Sequence, residues 1–112
     1  MTLREKQSLF AGLVASLIDH ALALGFDVTL GEAYRSPEEA ARLAALGLGI
    51  KSSLHTARLA IDLNLFRGGT YLTSNEAHEP LGVWWEKQDP LCRWGGRFGD
   101  GNHYSLEHGG RK

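Results

Sequence analysis

"SSLHTARLAIDLNLF", residues 52–66, is the stretch on which the reading of this chain turns. Leu59, Ile61, Leu63 and Leu65 alternate with Ala60, Asp62 and Asn64, the period-two pattern of a β-strand with one apolar face. Asp62 interrupts that pattern. An ionised carboxylate taken out of water is so costly that it protonates, pairs with a cation or binds a metal. Asp62 therefore needs a partner, and His55 stands seven residues earlier, at the entrance to the same strand.

A second imidazole, His103, opens another short strand, "HYSLE", in which His103, Ser105 and Glu107 share one face. Two imidazoles and one carboxylate are a common catalytic zinc set, with the fourth tetrahedral position left for water. Such an ion lowers the pKa of bound water from 15.7 to about 7 and polarises a carbonyl oxygen, which permits hydrolysis at neutral pH. Asp100 precedes His103 by three residues in "DGNH" and is placed to act as general base. The spacings H-x6-D and D-x2-H are loose. On chemistry alone, a buried His–Asp pair or two unrelated surface histidines remain open.

The rest of the chain sets the frame for that strand. Its 112 residues correspond to one domain, spanning residues 1–112, able to bury somewhat over ~60% of its unfolded surface. Charged residues make up 22% and the formal net charge is -1, so the basic stripe that nucleic-acid binding requires is absent. Cys92 is the single cysteine, which excludes an internal disulfide and a Cys-rich structural zinc site. No apolar run reaches the roughly 18 to 20 residues needed to span a bilayer.

Arg4 and Lys6 followed by "SLFAGLVASLI" have the outline of a secretory signal. Against that, Phe10, Leu13, Val14, Leu17, Ile18, Ala21 and Leu22 keep the spacing of one helical face, and Asp19 and His20 break the apolar run. Thr2 with Glu5 forms a capping box, so residues 2–24 read as a retained amphipathic helix ended by Gly25.

"FDVTLGEAYR" reads as a short strand, and Ser36, Pro37 and Glu39 announce a helix from Pro37 to about Leu46. Gly68 and Gly69 mark a turn into another strand, and Thr73 to Glu76 opens a helix carrying Leu81, Trp84 and Trp85. "DPLCRWGGRFGDGN" reads as a loop. The expected fold is α+β, with helices packed on a small, mostly antiparallel sheet. Trp84 and Trp85 are expected in the core, and His20, His78 and His108 at the surface or an edge.

Three segments together carry a family resemblance. "SSLHTARLAID" resembles the S-x-H-x6-D signature of the zinc D-alanyl-D-alanine carboxypeptidases and phage L-alanyl-D-glutamate endopeptidases, enzymes that cut peptidoglycan stem peptides. "EAYRSPEEAARL" resembles the upstream Y-R-[ST] segment of that family, and "WGGRFGDGNH" its W-G-G…D-x-x-H segment. The three occur in the family's order between about residues 30 and 105. Departures exist: many members have glycine where this chain has Arg58, and glutamine where it has Ala40. Many also have an acid two residues after the last histidine, where this chain has Ser105; Glu107 is expected to serve as the partner of the His103 ring instead.

The resemblance implies a zinc ion held by His55, Asp62 and His103, with Asp100 as catalytic base and Arg35 holding or polarising the substrate carbonyl or carboxylate. Arg35 otherwise pairs with a nearby glutamate. Ser53, Trp94 and Tyr104 are further expected substrate contacts, although Ser53 otherwise caps a turn and Trp94 otherwise packs. The implied fold is the small α+β fold shared by these peptidases and the hedgehog signalling domain. The implied activity is that of a zinc-dependent endolysin, a monomer hydrolysing the L-alanyl-D-glutamate bond of bacterial peptidoglycan peptides. It would be made in the host cytoplasm and act on periplasmic peptidoglycan after release. The alternatives are a D,D-carboxypeptidase or dipeptidase acting on D-Ala-D-Ala, and a non-catalytic zinc-binding module.

Overall fold

The computed structural model describes residues 1–112. Helix α1 (Leu3–Ala23) starts at the capping box: Thr2 accepts a hydrogen bond from the Glu5 backbone, and the Glu5 carboxylate accepts one from the Thr2 backbone. It ends at Leu24, beyond which Gly25 adopts φ +89°. Phe10, Leu17 and Ala21 are its buried face.

Helix α2 (Pro37–Ala45) has Ser36 as N-cap and Pro37 in its first turn. Only half of the expected box forms, because the Glu39 carboxylate turns to Arg42, one turn along the helix. Ala40, where the resembled family has glutamine, is fully buried, so a small residue suits this helix's inner face. Helix α3 (Asn75–Glu86) is capped by Ser74 and buries His78, Leu81 and Trp85.

The strands are β1 (Asp27–Leu30), β2 (Ala60–Arg67), β3 (Thr70–Leu72), β4 (Cys92–Trp94) and β5 (His103–Leu106), all paired antiparallel. The order is β1-β2-β5-β4, with β3 also pairing β2. The α+β architecture is thus as expected. The segment read as one continuous loop contains β4, a three-residue strand too short to show alternation through its neighbouring glycines.

Strand β2 is the axis of the molecule. Leu59, Leu63 and Leu65 are fully buried and Ile61 nearly so, in a core shared with Phe10, Leu17, Trp85, Tyr104 and Leu106. Burying a side chain of this kind contributes about 1.5–3 kcal/mol. Trp85 lies in that core with its indole N–H donated to the Arg93 and Ser105 carbonyls, and Trp84 is half-buried.

Register places the polar residues. Asp62 pairs with His103 across β2 and β5. On its other side the chain beyond β1 continues the ladder: Gly31 N–H donates to the Asp62 carbonyl at 2.8 Å, and Asp62 N–H donates to the Glu32 carbonyl at 2.9 Å. A Cβ on Gly31 would lie 2.8 Å from that carbonyl oxygen, so only glycine permits this approach. Asp62 is clamped from both sides.

Candidate active site

His55 lies in a 3-10 turn at Leu54–Ala57, capped by the Ser53 hydroxyl, which accepts from His55 N–H at 3.2 Å. The turn ends at Arg58, with φ +57°. This is a left-handed backbone, which glycine adopts at least cost and an arginine occupies here. The arginine side chain is held by stacking over the Tyr34 ring at 4.0 Å.

His55 Nδ1 lies 3.0 Å from the Ala33 carbonyl oxygen. A carbonyl can only accept, so the ring proton sits on Nδ1 and Nε2 keeps its lone pair. Nε2 faces Asp62 Oδ1 at 3.3 Å, and His103 Nδ1 faces the same oxygen at 3.5 Å. The two imidazoles and the carboxylate each present a donor atom, all within 4.8 Å of one another. Both histidines are buried and Asp62 is partly so. Three convergent donors of this chemistry suit a divalent metal ion.

The electrostatics agree with the geometry. Burial raises the cost of charge on Asp62, but hydrogen bonding and Coulomb attraction from His103 and His55 outweigh it and hold the carboxyl down at about 2. Burial likewise opposes charge on His55, and the Asp62 carboxylate, the Ala33 carbonyl and Glu32 more than offset it, raising its pKa. Asp62 is therefore a carboxylate at neutral pH.

These donors form the floor of an open cleft of about 280 Å³ bordered by Arg35, Ser53, Phe98 and Asp100. Asp100 Oδ2 is 3.9 Å from His103 Nδ1, and its side chain is half exposed, so it faces the cleft with an accessible oxygen. Arg35 is largely buried. Its Nε and Nη2 both donate to Glu32 Oε1, the glutamate pairing that the sequence left open, while the residue still borders the cleft.

Several expectations need correction. Trp94 is buried and is not part of the cleft wall: its ring packs against Gly82 and Gly96, and its indole N–H donates to the Gly101 carbonyl at 2.7 Å. Tyr104 is fully buried beneath the sheet and contacts no substrate space; its hydroxyl meets His78 Nδ1 at 2.8 Å. Glu107 does not support His103, because β5 ends at Leu106 and the Glu107 carboxylate accepts from Gly110 N–H. His103 Nε2 and Ser105 Oγ are buried without a hydrogen-bond partner. His78, expected at an edge, is 1% exposed.

The sequence reading missed Leu48, Ile50 and Phe98, apolar side chains at the cleft that remain mostly exposed. The signal that could have found them is three large apolar residues in glycine-rich segments with no periodicity to bury them.

The fold and site together define a small α+β protein with a potential His–Asp–His metal centre on its sheet. No protein-family model matches the chain, and no curated protein matches it. Among solved structures, the crystal structure of Serratia marcescens L-Ala D-Glu endopeptidase ChiX is similar over 87% of this chain and 79% of that one, with 21% sequence identity and a TM-score of 0.69. At that identity the likeness is one of fold.

Proposed function

We propose that this chain is a zinc-dependent peptidoglycan peptidase that hydrolyses the L-alanyl-D-glutamate bond of cell-wall stem peptides. The observation that carries the reading is the convergence of His55 Nε2, Asp62 Oδ1 and His103 Nδ1 beside the accessible Asp100 carboxylate. The likeness in fold to an L-Ala D-Glu endopeptidase supports the choice of bond.

His55, Asp62 and His103 would hold the zinc. Bound there, the ion supplies Lewis-acid activation of water and of the scissile carbonyl. Asp100 accepts the proton of the attacking water and delivers it to the amine that leaves when the C–N bond breaks. Arg35, fixed by Glu32 through Nε and Nη2, keeps Nη1 free to hold a substrate oxygen. Ser53 sets the backbone of the His55 turn and borders the cleft, where it is a further substrate contact. A purely structural metal site has no use for a carboxylate in the position of Asp100.

Metal analysis of the purified chain, with chromatography of the products from a defined muropeptide, tests this reading. About one zinc per chain and release of an L-alanine-bearing fragment are expected. Asp100→Ala should retain the metal and lose ~10²–10⁴-fold in rate. Free D-alanine as product would make the enzyme a D,D-carboxypeptidase, and metal without hydrolysis would make it a binding module.

A further inference from the structure

A second, polar pocket of about 200 Å³ adjoins the cleft across Asp100, which borders both. Its other walls include Thr73 before α3, Asn75 as its first residue, His78, and Gly101 and Asn102 from the loop before β5. Gly101 brings loop and helix together: a Cβ there would lie 2.7 Å from Asn75 Oδ1 and 2.8 Å from Asn75 Cα. The pocket is thus built by close packing of two elements.

His78 is the buried polar side chain on its wall. The Tyr104 hydroxyl is fully buried, and His78 Nδ1, at 2.8 Å, is its one hydrogen-bond partner. A phenol has a proton to donate and Nδ1 is the acceptor within reach, so the hydroxyl donates and Nδ1 accepts. Burial lowers the His78 pKa to about 4, so the ring is neutral and carries its single proton on Nε2. No protein group satisfies that N–H, and the ring borders the pocket.

We propose that this pocket is a second subsite of the cleft, in which His78 Nε2–H donates a hydrogen bond to an uncharged carbonyl oxygen of a bound peptide. A carboxylate suits the pocket poorly, because Asp100 forms the shared wall and Glu76 stands in the first turn of α3. A peptide chain laid across Asp100 brings a backbone carbonyl to this position. The donor follows from the geometry around His78; the identity of the peptide, a stem peptide, rests on the peptidase reading.

The test uses the zinc-loaded full chain, labelled with ¹⁵N, titrated with the tripeptide L-alanyl-γ-D-glutamyl-L-lysine while hydrolysis is followed in the same tube. The expected results are an Nε2–H tautomer for His78 before addition, and saturable shifts of its Nε2–H and of the Asn102 amide. Asn mimics the Nδ1 side of the ring and keeps an acceptor for Tyr104, so His78→Asn should fold, hold zinc and bind about 10-fold more weakly. Gln mimics the Nε2 side, so His78→Gln should bind within about 3-fold of the wild type, even if the loss of the Tyr104 contact lowers its Tm. An Nδ1–H tautomer, shifts confined to the cleft around Ser53 and Phe98, or no binding at all would overturn the subsite. Binding without hydrolysis would leave the subsite standing and remove the peptidase reading. Hydrolysis with His78→Asn at full affinity would do the reverse.

Discussion

The floor of the cleft and its rim are built by different physics. On the floor, Asp62 is held between two ladder partners, His55 is fixed by hydrogen bonds to its backbone and ring, and His103 is paired in register with Asp62. Along the rim, Leu48, Ile50 and Phe98 carry large apolar side chains with half or more of their surface in water. Folding alone places the floor: the sheet ladder fixes Asp62 and His103, and the Ser53-capped turn fixes His55. The rim side chains bury little of their surface on folding. Preset donors beside exposed apolar side chains is the arrangement that the proposed hydrolase would use, the donors for the ion and the apolar rim for the peptide.

The largest expected effect that would break this contrast lies on the floor. Asp62→Ala removes the central donor and leaves two imidazoles facing a gap. Metal affinity, measured by competition with a chelator, should fall by more than the ~10–100-fold typical of losing a mere supporting contact to a ligand. Retention of near-native affinity would show that Asp62 is the partner of a histidine pair and not a metal ligand.

Next in size is the pH dependence of the buried region behind β5. The folded pKa of His78 lies below its ordinary value, so its contribution to stability is fully present above about 6.5 and is lost as pH falls towards about 4. The unfolded chain takes up a proton there that the folded chain refuses. The total loss is about 3 kcal/mol. Urea denaturation across this range, with wild type compared with His78→Asn, isolates the effect from His55, whose raised pKa acts with the opposite slope. Parallel curves would mean that His78 titrates alike in the folded and unfolded chain and that burial does not hold its pKa down.

The smallest effect belongs to the rim. Phe98→Ala should leave stability within ~0.5 kcal/mol, as for most exposed positions, and raise KM for a muropeptide a few-fold with kcat unchanged. A fall in Tm of several degrees would show that the rim is part of the core after all, and the contrast with the floor would be lost.

How much of this was legible beforehand differs residue by residue. The alternation around Asp62 announced both β2 and the anomaly within it, and the Thr2–Glu5 and Ser36–Pro37 signals placed two helix starts, because each depends on residues close in sequence. Trp94 and Tyr104 sit next to or on motif residues, yet neither reaches the cleft. Trp94 ends a three-residue strand too short to show which way it faces, and Gly82 and Gly96 receive its ring; Tyr104 follows the alternation that already set it opposite His103. Glu107 shares a parity with His103 that has no consequence once the strand stops one residue earlier.

By itself, then, the sequence determined the α+β class, the apolar face of β2 and the need of Asp62 for partners, since local periodicity and the cost of a buried charge are properties of neighbouring residues. Only the tertiary structure decided that Trp94 turns away from the cleft, that Leu48, Ile50 and Phe98 gather at its rim, and that His78 is buried beside a pocket bordered by Asp100. Those outcomes rest on strand register and on packing between elements far apart in the chain, which no short stretch of residues encodes.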